Sequence, residues 1–158
     1  MNETASLVSS YSFYQAEMTV LKNRLAELEP AGVTVRRAKL IRALVHITAE
    51  AEMFDTAKRL AATYAEKNGP RESDCIAGRL EVELLKTDVE KLDRVKEDLA
   101  RESVFAAANR AFVIRAVLRW SPSGAALAPA VRKFLKEFPN KPRGLSKLRL
   151  ARKAKGHG

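Results

Sequence analysis

The chain has few of the residues that build metal and redox sites: 158 residues include one cysteine, Cys75, and two histidines. One cysteine cannot form an internal disulfide, and so few ligands exclude a zinc cluster of cysteine and histidine. No apolar run approaches the roughly 18 residues that a membrane-spanning helix needs. Residues 1–12 lack a basic end followed by an apolar stretch, so we expect no secretion signal. The sequence therefore predicts a cytoplasmic protein with no cofactor.

Acidic residues are also scarce, with 19 Asp and Glu against 29 Lys and Arg, and the formal net charge is +10. Such a surplus favours an anionic partner, either nucleic acid or an anionic membrane surface, over a basic protein with no such partner. No paired carboxylates, Ser/His/Asp set or glycine-rich phosphate loop stands out. We therefore expect a binding protein and not an enzyme.

The first part of the chain reads as a strand followed by two helices. Ser9–Gln15 alternates small polar residues with aromatics, which is typical of a short strand. Apolar residues at helical spacing follow from Glu17 to Leu28, and Pro30 ends that helix. Thr34 is placed to cap a second helix, which extends to about Thr48.

The same order returns later. Leu80–Lys86 alternates apolar and polar residues, as a strand does. A helix capped by Thr87 or Asp88 is predicted to extend to about Arg101, and another is predicted over Asn109–Trp120. Residues 139–158 contain seven Lys or Arg and no acidic residue. The predicted organisation is one domain over 7–138, with halves at 9–48 and 80–120, a helical connector over 49–79, a helix over 127–138, and a flexible basic tail over 139–158.

An internal repeat supports this division into halves. Arg37–Val45 lies 73 positions before Arg110–Leu118, and five of the nine aligned residues are identical. The preceding helices align at an offset of 71, through Leu21 with Leu92 and Leu28 with Leu99, and the same offset places the first strand on the second. The offsets of 71 and 73 differ by two residues, and this difference falls in the link between the two helices of a half, where changes of length are tolerated.

A lone short strand leaves its backbone groups unpaired, and two such strands can pair with each other as an antiparallel ribbon covered by the helices. This is the ribbon-helix-helix arrangement, here as a tandem pseudo-dimer in a single mainly α chain. Alternation predicts that Tyr11, Phe13, Val82 and Leu84 point into the core. The residues predicted to face DNA bases in the major groove are Ser10, Ser12, Tyr14, Glu81, Glu83 and Leu85.

The start of the second helix in each half is expected to lie beside a DNA phosphate, because its free N–H groups and its dipole favour an anion. The residues predicted there are Thr34, Arg36, Arg37, Asn109 and Arg110. The basic tail is expected to follow the DNA backbone without reading sequence. Its candidate contact residues are Lys141, Arg143, Lys147, Arg149, Arg152 and Lys153.

Three segments carry a family resemblance: Ser-Tyr-Ser-Phe-Tyr-Gln at 10–15, Arg-Arg-Ala-Lys-Leu-Ile-Arg-Ala-Leu at 36–44 and Ala-Asn-Arg-Ala-Phe-Val-Ile-Arg-Ala at 108–116. Over about residues 7–138 the chain resembles the ribbon-helix-helix superfamily. The tandem copy narrows the resemblance to the overdrive-binding proteins of the agrobacterial virC operon. Glu81 and Glu83 depart from the basic or amide side chains that such ribbons often carry.

This resemblance implies a bacterial cytoplasmic protein that binds the overdrive enhancer beside a T-DNA border. It would promote T-strand processing by a relaxase complex, with a ParA-like ATPase as a further partner, and would cut no DNA itself. It implies no membrane partner, and a monomer suffices for the fold. A transcriptional repressor or a plasmid-partition protein of the same fold is the nearest alternative. A helical protein-interaction adaptor with a basic surface is the second.

Overall fold

A computed structural model describes residues 5–66, 76–105 and 108–139. This part is mainly helical with one two-stranded antiparallel ribbon, as the sequence predicts. A 3₁₀ turn at Glu29–Ala31 follows the first helix. The elements are β1 (Ser6–Tyr14), α1 (Gln15–Leu28), α2 (Arg37–Ile47), α3 (Glu50–Glu66), β2 (Ile76–Leu85), α4 (Lys86–Arg101), α5 (Arg110–Arg119) and α6 (Gly124–Glu137).

Both strands begin earlier than their predicted starts at Ser9 and Leu80. The pairing runs in one unbroken antiparallel register from Ser6 opposite Leu85 to Phe13 opposite Gly78, with an irregularity before Tyr14. Each added residue gains a partner for its backbone groups, which favours the longer strands. The helices begin where the ribbon ends.

The offsets of the sequence repeat reappear in the helix boundaries. Helices α1 and α4 begin 71 positions apart, at Gln15 and Lys86, and α2 and α5 begin 73 positions apart. A third pair, α3 and α6, begins 74 positions apart, and at that spacing the buried Leu60 aligns with the buried Phe134. The sequence prediction treated α3 as part of a connector and missed this third correspondence.

One hydrophobic core joins the elements, and the four predicted inward strand residues, Tyr11, Phe13, Val82 and Leu84, are all buried in it. Helix α2 packs on β2, and α5 packs on β1. Helix α3 packs on α4 and α5, whereas α6 packs on α1 and α2. The second and third helices of each half therefore contact elements of the other half.

The last helix begins at Gly124 and not at the predicted Leu127, because Ser123 caps it: Ser123 Oγ accepts from Ala126 N at 3.3 Å. Pro129 consequently lies in the second turn, beyond the first turn where it was expected. Glycine is required at the helix start, since a Cβ at Gly124 would lie 2.3 Å from Glu27 Cβ. This close approach sets α6 against the end of α1.

Candidate nucleic-acid interface

The outer face of the ribbon is built from three cross-strand pairs. Ser10 lies opposite Glu81 at the centre, Ser12 lies opposite Arg79 on one side, and Val8 lies opposite Glu83 on the other. Ser10, Glu81 and Arg79 are exposed, and Val8 is 60% exposed although it is apolar. These six side chains share one face because residues alternate between the two faces of a strand.

Two residues predicted to face outward do not do so. Leu85 is only 1% exposed, and Tyr14 is half-buried with its ring centre 4.9 Å from the guanidinium carbon of Arg115. Both residues are N-caps, of α4 and α1 respectively. The chain leaves the ribbon at these positions, so strand alternation no longer decides which way their side chains face.

Val8 and Arg79 take the places that the sequence prediction gave to Tyr14 and Leu85. They were missed because the predicted strands began at Ser9 and Leu80, each one residue too late to include them. Extending the alternation backwards from Glu81 by two residues reaches Arg79, and from Ser10 by two residues reaches Val8. Alternation along the two strands was therefore the sequence signal that could have identified Val8 and Arg79 as outward-facing residues.

Glu83 lies on the outer face, but its carboxylate is held by the protein. Ser6 Oγ donates to Glu83 Oε2 at 2.5 Å, and Arg42 Nη1 lies 3.7 Å from Oε1. The negative charge that Glu83 brings to a predicted DNA-binding face is therefore countered by a neighbouring cation.

Arg115 makes the corresponding contact in the other half. It lies 73 positions after Arg42, and its Nη1 donates to the backbone oxygen of Ser12 at 3.3 Å. Ser12 in turn lies 71 positions before Glu83. Each of these two arginines thus reaches from its own helix to the strand of the other half.

The start of α2 is exposed and basic. Arg36 is the N-cap and makes no side-chain capping bond, and Arg37 is the first helical residue. Thr34 is exposed and precedes the N-cap by two residues, so its predicted role as the cap is wrong. The backbone is already extended at Arg36 (ψ 160°), and the helix begins only after it. Within the described ranges, neither Arg36 nor Arg37 forms an ion pair.

The start of α5 has a different chemistry. Asn109 caps the helix through Oδ1, which accepts from Phe112 N at 2.8 Å. Arg110 donates from Nε and Nη2 to the two oxygens of Asp93 at 2.8 and 2.9 Å. The hydrogen bond from Arg110 lowers the pKa of Asp93. Arg110 is therefore less available to a phosphate than Arg37.

Two buried acidic side chains join the halves behind the ribbon. Glu17 Oε2 accepts from Arg119 Nε at 2.5 Å, and Asp88 Oδ2 lies 2.9 Å from His46 Nδ1. The acids are 71 positions apart and the bases are 73 positions apart, so these pairs also correspond. Burial raises the pKa of Glu17, opposed by the Tyr14 backbone N–H and by Arg119.

A groove of 580 Å³ separates the outer face of the ribbon from the start of α2. Val8, Glu81 and Glu83 line the ribbon side, and Arg36 and Lys39 line the helix side. Phe138 and Pro139, at the end of the described part of the chain, also line the groove. The groove therefore places cationic side chains of α2 beside the side chains of the outer ribbon face.

The tail residues predicted to contact DNA backbone, Lys141 through Lys153, lie outside the described residues. Among residues 5–66, 76–105 and 108–139, no group of three or more His, Cys, Asp or Glu side chains is arranged to hold a metal ion. No helix in those ranges is both long enough and apolar enough to cross a membrane. Comparisons with protein-family models, curated proteins and solved structures found no match to the chain.

Proposed function

We propose that the chain is a single-chain ribbon-helix-helix unit that binds double-stranded DNA and catalyses no reaction. The observation that carries this proposal is the central pair of the ribbon, in which Ser10 lies opposite Glu81. In a symmetric antiparallel pair of identical strands, one residue at the axis faces its own copy. The repeat offset of 71 makes Glu81 the counterpart of Ser10, and this register supports the proposal of a dimer-like unit joined in one polypeptide.

The outer face supplies the chemistry for reading bases when the ribbon lies in the major groove, which admits two strands. Arg79 suits the O6 and N7 acceptors of guanine, Glu81 accepts from the cytosine amino group, and Val8 fits the methyl group of thymine. The facing side chains differ between the two strands. The proposed DNA site is therefore not palindromic.

Two helix starts flank this face and supply phosphate contacts. Arg36 and Arg37 at α2 form the stronger of these sites, since both are exposed cations beside free backbone N–H groups. Asn109 and Arg110 at α5 form the weaker site, because Arg110 is bound to Asp93. The net charge of +10 adds attraction that does not depend on base sequence.

Because the sequence resembles overdrive-binding proteins, the overdrive enhancer is the first DNA sequence to test for binding. In that role the protein would mark a T-DNA border for a relaxase complex, with a ParA-like ATPase as partner. Both partners belong to the proposal and rest on the resemblance alone.

The test is binding to a duplex containing the overdrive sequence, or to one selected from a randomised library, with its guanines methylated at N7. Methylation blocks an acceptor that only the major groove presents. We expect methylation within the site to abolish tight binding, while methylation of flanking guanines has no effect. Equal binding to methylated and unmethylated sites would exclude ribbon insertion, and absence of duplex binding would exclude the proposed function.

A further inference from the structure

The carboxylates of Glu83 and Glu81 differ in their contacts with the rest of the protein. Glu81 is exposed at the centre of the ribbon and forms no ion pair within the described ranges. Glu83 is held by the hydroxyl of Ser6 and lies beside the guanidinium of Arg42. A fixed and neutralised carboxylate can recognise a donor without repelling nearby phosphates.

Arg42 is itself fixed in place. Its side chain is 12% exposed, and its guanidinium carbon lies 5.5 Å and 5.9 Å from the ring centres of Phe138 and Phe134. Its Nε, like that of Arg115, is buried without a hydrogen-bond partner in the described part of the chain. The rings of Phe134 and Phe138 therefore hold the guanidinium of Arg42 against the ribbon, beside Glu83.

We infer that Arg42 is a positioning residue for base recognition: it orients and neutralises Glu83 so that this carboxylate accepts from the amino group of a cytosine. The inference rests on the proposed function and adds the base type and the residue that enables its recognition. Cytosine N4 is the amino donor that a C·G pair presents in the major groove. An ionised carboxylate offers about four acceptor positions, so one fixed by Ser6 and Arg42 is still able to accept from a base.

The other half provides a matched comparison. Arg115 occupies the equivalent helix position, but it meets the backbone oxygen of Ser12, and the side chain there is an uncharged hydroxyl. Losing Arg115 removes a packing contact without exposing a carboxylate to DNA. The change in DNA affinity on replacing Arg42 should therefore depend on whether Glu83 is present, whereas the change on replacing Arg115 should not.

The experiment measures binding of four variants to duplexes selected from a randomised library and to scrambled duplexes: Arg42→Met, Glu83→Gln, their combination and Arg115→Met. Each base pair of the selected site is replaced in turn. Apart from any cytosine position read by Glu81, the unchanged chain should prefer cytosine by about tenfold or more at the position that Glu83 reads. Glu83→Gln should lose that preference. Arg42→Met should lose it and also bind every duplex more weakly, and adding Glu83→Gln should restore affinity for scrambled DNA.

A penalty from Arg42→Met that Glu83→Gln leaves unchanged would overturn the inference, as would survival in Arg42→Met of the cytosine preference that Glu83→Gln abolishes. Rescue of Arg115→Met by Glu83→Gln would also overturn it. If Arg42→Met shows no cooperative thermal unfolding, Arg42→Lys replaces it. Lysine keeps the charge but lacks the planar fork, so we expect normal affinity with reduced preference, and an unchanged preference counts against the inference. Duplex binding without any cytosine preference refutes this inference alone, whereas no duplex binding refutes the proposed function.

Discussion

Ser10 and Glu81 face each other at the centre of the ribbon, and they are separated by 71 positions, the offset at which the strands and first helices of the two halves align. The repeat is found by aligning residues of the two halves, and the register by the pairing of the two backbones. Their agreement is what supports a dimer-like unit built from one chain. It also places different side chains at matching positions, which a homodimer cannot do.

Arg79→Ala is predicted to weaken binding to the preferred site by about 1–3 kcal/mol and to relax the requirement for guanine at one position. The reason is that Arg79 is exposed beside Ser12 on the outer face and offers a planar pair of donors. Fluorescence anisotropy with a set of single-base variants measures both effects. The control is Arg101→Ala, which removes the same charge at the far end of α4 and should leave base preference unchanged. An intact guanine requirement in Arg79→Ala would remove this residue from the reading face.

Replacing Arg36 and Arg37 together by alanine is predicted to weaken binding to all duplexes alike. Each lost phosphate contact should reduce the slope of log affinity against log salt by about 0.9, so the double variant should flatten it by up to about 2. Arg110→Ala is the matched variant at α5, and its change in slope should be smaller because Asp93 already engages this guanidinium. An unchanged slope in the double variant would show that the start of α2 does not contact phosphates.

The two buried acid–base pairs are predicted to differ in their contribution to stability. Glu17→Ala should lower the free energy of unfolding by about 3–5 kcal/mol, because it removes the carboxylate that pairs with the guanidinium of Arg119, whose side chain is only 14% exposed. Asp88→Ala should cost less, about 1–3 kcal/mol, because Lys91 Nζ, which also lies near Asp88, keeps its hydrogen bonds to the backbone oxygens of Val45 and Thr48. Urea unfolding of both variants measures the difference. Equal costs, or the reverse order, would contradict this account of the pairs.

Asp93→Asn is predicted to lower the free energy of unfolding by less than about 1 kcal/mol at neutral pH, because Asp93 and Arg110 are both partly exposed. Arg110 lowers the pKa of Asp93 in the folded chain, so the unfolded chain binds this proton more readily. The stabilisation is therefore complete above the ordinary carboxyl pKa and is lost as the pH falls through the lowered folded-state pKa. Unfolding curves of the two proteins should converge in acid. A difference that stays constant with pH would show that the ion pair is not its cause.

The order of elements and the inward strand residues could be predicted from sequence, because alternation and helical spacing report which side of an element is buried. Tyr11, Phe13, Val82 and Leu84 are buried as that reasoning expects. Alternation has a period of two, however, and does not say which residues of two strands lie opposite each other. The predicted reading set also had Tyr14 and Leu85 in place of Val8 and Arg79, because the predicted strands began at Ser9 and Leu80, one residue too late to include Val8 and Arg79.

The contacts between the halves were beyond sequence reasoning for a different reason. Arg42 and Arg115 were recognised as equivalent, but their partners lie on strands that are distant in the chain. The correspondence of α3 with α6 was hidden because the residues that align, such as Leu60 with Phe134, share burial and not identity. Only packing shows that each third helix covers the opposite half.

The most direct test of the central claim is the affinity of the chain for its preferred duplex and for a scrambled duplex of equal length, measured across a salt series. A ribbon that reads bases predicts that both affinities fall as salt rises, while the preferred duplex stays tighter by at least about a thousandfold. If the two duplexes bind equally at every salt concentration, the chain is a nonspecific basic protein and the account of its ribbon is contradicted.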